Sequence, residues 1–380
     1  MAELRQNTWT LDQWYDQDVA GNVSYSGAGE LFAWGAQASG RLGLNDQVNR
    51  SSPTQIPGTT WRSVSQNSRI DSFGATKTDG TLWAWGTNSN GILAQNNQTK
   101  YSSPVQIPGT WSDNFQIGTY YSYGIKTDGT LWLWGFDNDG ALGVNTKSVS
   151  HSSPVQVPGT TWKQATLLTY ASLAIKTDGT LWSWGAAGHG QTGTNSRTYY
   201  SSPVQVPGTT WDKISGNAVQ PFAIKTDGTL WTWGLGSQGQ LGLNQGGTIR
   251  YSSPTQIPGT TWSNVVYGGT GQVIATKTDG TLWTWGENNK GQLAQNDTTQ
   301  RSSPVQVPGT IWSDDITSGS YFMGARKTDG TLWSWGWNNS GQLTVPGADT
   351  GNRSSPVQIP GTDWTNISSN QYSQFAIKNV

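Results

Sequence analysis

The string KTDGTLW occurs six times, beginning at Lys77, Lys126, Lys176, Lys225, Lys277 and Lys327, and a Trp-Gly pair occurs seven times, ending at Gly35, Gly86, Gly135, Gly185, Gly234, Gly286 and Gly336. Successive Trp-Gly glycines are 51, 49, 50, 49, 52 and 50 residues apart. A period of this length, held along the chain, restricts the fold to a solenoid or a propeller. Each unit reads as four short strands. TLWTWG (229–234) alternates as a strand does, and we expect Leu230 and Trp233 to face away from Trp231. A WG-x4-G turn follows in every unit, then the proline-bounded SPTQIP (253–258) and a Pro-Gly turn. WSNVV opens at Trp262, and VIATK (273–277) runs into Asp279-Gly280, which reads as a two-residue hairpin between Thr278 and Thr281. Nothing helical recurs, and a β-helix needs shorter coils. Four antiparallel strands in about 50 residues describe a propeller blade.

One KTDGTLW is missing, and its absence predicts how the ring closes. The first unit begins at Glu30-Leu31-Phe32-Ala33-Trp34-Gly35 without the strand that precedes it elsewhere. Gln374 to Lys378, followed only by Asn379 and Val380, are that strand, and the Thr-Asp-Gly turn does not follow them. The hairpin has been cut at its turn, so Gln374–Lys378 is expected to pair antiparallel with Glu30–Gly35. The expected fold is all-β: a seven-bladed propeller of four-stranded antiparallel blades over residues 27–380, closed by pairing of its N- and C-terminal strands. Closure removes the open edges that a linear array would expose.

Composition narrows the function. Charged residues are 12% of the chain, against about 25% in an average globular protein. The net charge of −1 gives no electrostatic footprint for nucleic acid or an anionic membrane. There is no cysteine for a disulfide framework or a thiol nucleophile, no run long enough to insert in a membrane, and no apolar signal core in MAELRQNTWTLDQWYDQ. Export is expected only by lysis or by a route the sequence does not display. Of 23 tryptophans, thirteen fall in LWxWG strands and seven follow the Pro-Gly turn, at Trp61, Trp111, Trp162, Trp211, Trp262, Trp312 and Trp364. These two sets are expected to wedge between blades. Trp9, Trp14 and Trp337 stand outside the repeat.

The pattern GTLWxWGxNxxGQLG followed by SSPVQVPG resembles the regulator-of-chromosome-condensation repeat family, in register over residues 27–380. The resemblance implies the same propeller. The family's nuclear member exchanges guanine nucleotide on a small GTPase through a loop extension and binds chromatin. Units that differ by at most three residues leave no room for such an extension. A Gly-x-x-His common in the family is lost here, where the region reads GTYYSYGIK, LTYASLAIK or GSYFMGARK. The regular YSSPVQVPGTTW units and the lead-in are also similar to repeat proteins encoded by tailed phages of marine bacteria, which implies a virion component.

No catalytic constellation is expected. Asp79, Asp128, Asp178, Asp227, Asp279 and Asp329 recur because the hairpin needs them, and acids such as Asp314-Asp315 are scattered. His151 and His189 occupy different places in the repeat. Asp137-Asn138-Asp139-Gly140 has the start of a calcium loop without its distal Glu, so neither a metal nor a cofactor is expected. One position is more suggestive: the residue before each Ser-Ser-Pro is Arg50, Tyr101, His151, Tyr200, Tyr251, Arg301 or Arg353. These planar side chains should form a rim circlet, either a binding surface or a shelf over the adjacent turn.

Residues 1–26 break the repeat. Thr10-Leu11-Asp12-Gln13 resembles a capping box, and Leu11, Trp14 and Tyr15 then share one face of a short helix. So short a helix is marginal alone, and needs either the propeller or a partner to cover that face. The expected function is a non-enzymatic structural or attachment component of a phage virion, present in the particle after assembly in the host cytoplasm. Its partners would be other virion proteins or a second copy through the arm, and a host-surface glycan. The alternatives are a lectin-like glycan binder and a cytoplasmic regulatory propeller. A chain lacking residues 1–26 should fold normally yet fail to join its assembly, and Trp14→Ala alone should weaken docking by roughly 2 kcal/mol. Melting curves and co-sedimentation measure both; a sharply lowered melting temperature with intact assembly would make the arm an intramolecular cap.

Overall fold

The computed structural model describes residues 29–65, 71–344 and 350–379. Residues 1–26, with Leu11, Trp14 and Tyr15, lie outside the described residues. The described chain forms 28 strands, arranged as seven four-stranded antiparallel blades. One blade runs from an inner strand, Trp211–Asn217, through Gln220–Lys225 and Leu230–Gly236 to an outer strand, Ile249–Ile257. The blade is therefore out of phase with the repeat as read from LWxWG. The Pro-Gly turn joins the outer strand of one blade to the inner strand of the next, so each repeat is shared between two blades. Inner strands surround a central channel whose lining draws on every blade, among them Ser63, Asp113, Gln164, Ser215, Asn264, Asp314 and Asn366.

We number blades from Trp61. The seventh blade is assembled from both ends of the chain. Trp364–Ser369 and Ser373–Asn379 supply its inner half, and Gly29–Gly35 and Arg50–Gln55 its outer half. The expected closure is present in register: Glu30 opposes Lys378, Phe32 opposes Ala376 and Trp34 opposes Gln374. A bridge from Gly29 to Trp61 ties this blade to the first. Phe375 stacks on Phe73 of blade 1, with ring centroids 3.5 Å apart.

The faces of the LWxWG strand differ from expectation. Trp231 and Trp233 share a face with Trp211 and pack against blade 3 through Leu173, Leu181 and Val206. Leu230 faces the other way, in a cluster with Trp262 and Trp285 of blade 5. Period-two alternation puts residues two apart on the same side, so the two tryptophans had to travel together. Every gap between blades is filled by such a shared cluster.

The second tryptophan of each strand also locks its blade to the one before. The indole Nε1 of Trp34, Trp85, Trp134, Trp184, Trp233, Trp285 and Trp335 donates to the backbone carbonyl of Gln342, Arg41, Ile92, Ala141, Gln191, Gln240 and Gln292, at 2.7–3.0 Å. All seven indoles are fully buried, and an unpaired N–H there would cost about 1–3 kcal/mol. The acceptor is the residue after the last glycine of WG-x4-G. That glycine has positive φ and lies against the first Ser of Ser-Ser-Pro in the following blade. A Cβ on it would meet that Ser Cα at 2.6–3.0 Å, as at Gly40 with Ser102 and Gly341 with Ser51, so the spacing and the small residue follow from one close approach.

Removal of residues 374–380 should leave two unpaired strand edges and an uncovered Phe73. The truncated chain should aggregate and lose its cooperative melt, and Phe375→Ala alone should cost about 3–5 kcal/mol. Gel filtration and thermal denaturation test this; a monomeric truncation with an unchanged melting temperature would contradict closure.

Candidate functional site

The side chains that most invite a chemical reading have structural work. In each KTDGTLW the Asp Oδ1 accepts the backbone N–H (2.9–3.0 Å) and the hydroxyl (2.6–2.7 Å) of the following Thr, as in Asp128 with Thr130. The Thr hydroxyl then accepts the indole N–H of the first tryptophan of the strand, at 2.8–2.9 Å. The motif's Lys Nζ lies between two tryptophans, 3.9–5.5 Å from their ring centroids, a geometry that favours a cation. The hairpin is not the two-residue type expected. Gly280 N–H bonds the Lys277 carbonyl and Lys277 N–H bonds the Thr281 carbonyl. Thr278 and Asp279 form the turn, and Gly280, at φ +76°, is the bulge residue.

The channel has two unlike ends. The turn end carries the KTDG and Pro-Gly turns. Its mouth, about 320 Å³, includes Asp113, Asp314 and Asp315. These acids face cations: Arg62 bonds Asp113 at 2.8 Å, Lys213 approaches Asp314 at 3.4 Å, and Arg326 bonds Asp315 at 2.6 Å. The first two pairs join different blades, and such exposed pairs contribute about 0–1 kcal/mol each.

The loop end carries the WG-x4-G loops. Its mouth, about 430 Å³, is lined by Tyr120, Tyr321 and Tyr372 with neutral groups such as Thr119, Asn217, Thr270 and Gln371. Tyr170 packs on Tyr120 with centroids 5.0 Å apart, and the hydrogen bond between their hydroxyls pushes the Tyr170 pKa up. Trp337 sits edge-on to both Tyr321 (6.0 Å) and Tyr372 (5.4 Å). The Arg41 guanidinium lies 5.5 Å from the Tyr372 centroid and 2.8 Å from Asp71. Sequence reasoning set Trp337 aside and missed the tyrosines. Their signal was a Tyr just before the second strand, in an otherwise Gly-, Ser- and Thr-rich turn, in four of seven units.

The circlet position is structurally equivalent in all seven blades. Arg50, Tyr101, His151, Tyr200, Tyr251, Arg301 and Arg353 each oppose a Trp-Gly glycine at the loop end of the outer strand. The structure spaces them around the outer circumference rather than bringing them together. Several bond their own loops: Arg50 to Asp46, Arg301 to Asp297 (2.6 Å), Tyr101 to Asn97 (3.1 Å) and Tyr251 to Gln245 (2.8 Å), while Arg353 donates to the Gly351 carbonyl (3.1 Å). The acid or amide four residues earlier, at Asp46, Asn97 and Asp297, is a sequence cue to this contact. Asp137, in the calcium-like stretch, is buried and accepts from Leu142 N–H (3.0 Å) and the Thr146 hydroxyl (2.7 Å). Asn88, Asn288 and Asn338 accept the equivalent N–H in their own blades, so Asp137 holds a loop as an amide does elsewhere.

The model for the regulator of chromosome condensation (RCC1) repeat matches residues 28–68, 79–116, 128–166, 227–273, 279–325 and 329–375. The chain belongs to the RCC1 repeat family. A second model of the same repeat matches residues 314–342. Prp20p from Saccharomyces cerevisiae, described with its binding to Gsp1p and histones, is similar at 17% identity over 94% of this chain and 93% of its own, with a TM-score of 0.79. Yeast RCC1 (Prp20) bound to Kap60 gives 17% identity, 93% and 89% coverage, and a TM-score of 0.78. Human WBSCR16 gives 18%, 93% and 99%, with a TM-score of 0.77. At these identities the likeness is one of RCC1-repeat fold.

The turn aspartates make acid stability testable. Hydrogen bonds from Thr hydroxyls and then Thr backbone N–H groups hold Asp79, Asp128, Asp178, Asp227, Asp279 and Asp329 below the usual carboxylate range. A depressed folded pKa stabilises above the unfolded value and is lost as pH falls through the folded value. The melting temperature should therefore hold above about pH 5 and fall on acidification through pH ~4 and below. Replacing Asp128, Asp178 and Asp227 together by Asn should make that fall shallower; melts across the acid range decide, and an unchanged slope would remove these turns as its source.

Proposed function

We propose that this chain is a non-enzymatic, protein-binding propeller that serves as a structural or attachment component of a phage particle. The observation that carries the binding reading is the division of labour between side chains. Recurrent Asp, Thr, Lys and Trp are engaged in turns and blade contacts, whereas the residues that differ between blades lie at the two mouths of the channel and on the loop-end circlet. The RCC1 repeat supports the coarser half, since the similar Prp20 structures are described with protein partners, Gsp1p, histones and Kap60. The particle half rests on the regular YSSPVQVPGTTW units and their likeness to phage repeat proteins.

The chain enters the described fold at Gly29, which opposes Trp61 and Asn379 at the turn end. Docking through the arm would leave the loop end, with Arg50, Tyr101, His151, Tyr200, Tyr251, Arg301 and Arg353, facing outward. The chain should be present in purified particles in stoichiometric amounts, measured by mass spectrometry. Its absence from particles, together with recovery of a soluble complex from the cytoplasm, would replace this reading with the regulatory one.

A further inference from the structure

We propose that the loop-end mouth of the channel is a binding site for neutral carbohydrate, taking a terminal sugar or disaccharide. This goes beyond the assembly role, because it holds whether or not the chain belongs to a particle, and it uses none of the outer circlet. The cavity, about 430 Å³, falls within the range of small-ligand sites. Its aromatic surface is built rather than incidental. Tyr120 is backed by Tyr170, and Tyr321 and Tyr372 are both braced by Trp337. Braced rings keep their faces fixed, which lowers the ordering cost of binding. Stacking on the C–H face of a sugar needs such a face together with hydroxyl partners nearby. Thr119, Asn217, Thr270 and Gln371 lie in the same wall.

Charge selects the ligand class. Among the described residues no ionised side chain lines this mouth, in contrast to the acids of the turn end. The nearest cation, Arg41 against the Tyr372 ring, is paired with Asp71 at 2.8 Å, so a phosphate, a sulfate or an acidic peptide would meet an already neutralised charge. A peptide anchored by an apolar side chain would need an apolar recess, and the leucines of the wall, Leu167 and Leu168, are already buried. A neutral polyhydroxylated ligand with a flat face matches both the rings and the amide and hydroxyl groups.

The test is an array of neutral oligosaccharides ending in glucose, galactose, mannose, N-acetylglucosamine or rhamnose, followed by calorimetric titration with the methyl glycoside of the best class. Binding to at least one class is expected. Tyr321→Ala and Tyr372→Ala should each weaken it at least about tenfold, while Tyr321→Phe, which keeps the ring, should retain most of it. Thr119→Trp adds bulk at an exposed position of the mouth without removing packing, and should block binding in a chain with a normal melt. Combined Tyr101→Ser, Tyr200→Ser and Tyr251→Ser should leave it unchanged. No binding to any array sugar would overturn the proposal. So would loss of binding in the triple circlet variant with the mouth variants unaffected, or capture of an immobilised neutral peptide that Thr119→Trp abolishes without any sugar signal.

Discussion

Each blade gives one buried indole N–H to the blade before it, and the rest of the molecule is arranged so that this can happen seven times. The acceptor is a backbone carbonyl, so its position depends on the path of the WG-x4-G loop. That path depends in turn on a glycine pressed against the next blade's outer strand. The indole face then fills the widening gap with leucines and valines from its neighbour. Because Trp34 donates to Gln342 and Trp85 to Arg41, the sequence of contacts runs through the blade built from both chain ends without a break. Ring closure therefore rests on strand pairing, an aromatic stack and the same indole bond as every other junction.

This arrangement accounts for an unusual composition. With only 33% apolar residues, the fold buries large tryptophans and satisfies buried polar groups through Ser and Thr. The Ser172 hydroxyl bonds the Ala141 carbonyl at 2.9 Å, and Thr284 bonds the Leu293 carbonyl at 2.7 Å. Few charges are needed, and those that recur are the Lys and Asp of one turn. The six intact turns share one pattern of hydrogen bonds. Where the turn is cut, Lys378 lies 6.0 Å from Trp364, and Phe32 meets that ring edge-on at 5.7 Å in place of a tryptophan.

What was legible in the sequence depended on whether the signal was periodic or spatial. The blade count, four strands per unit and the pairing of Glu30–Gly35 with Gln374–Lys378 follow from spacing and from one interrupted hairpin. The phase of the blade did not, because a repeat can be read from any of its strands and only hydrogen bonding shows which is innermost. The facing of Trp231 and Trp233 was legible in principle and misassigned, since alternation alone decides it. The hairpin type turned on whether the glycine of Thr-Asp-Gly-Thr stands inside the turn or just after it. The loop-end mouth lay furthest from view: Tyr120, Tyr321 and Tyr372 are some 50 to 250 residues apart in sequence, and converge only because their blades surround one axis.

The position before each second strand explains why the mouth can carry such side chains at all. Its residue is Asp71, Tyr120, Tyr170, Val219, Gly271, Tyr321 or Tyr372. In all seven blades its carbonyl accepts the N–H of the residue after Trp-Gly, at 2.7–3.4 Å. The carbonyl also occupies the space where a Cβ on the Trp-Gly glycine would stand, between 2.0 and 2.6 Å from it at each blade. The fold thus uses the backbone of this residue and makes no repeated demand on its side chain, which is why Asp71 and Val219 serve as well as tyrosine, while Gly271 takes a positive φ of its own. A strand position such as Leu230 has no such freedom, because its side chain fills the gap between blades. Four tyrosines at a place where the repeat sets no common side chain, with Trp337 added beside two of them, are free of the ring's packing demands and available to the site proposed at this mouth.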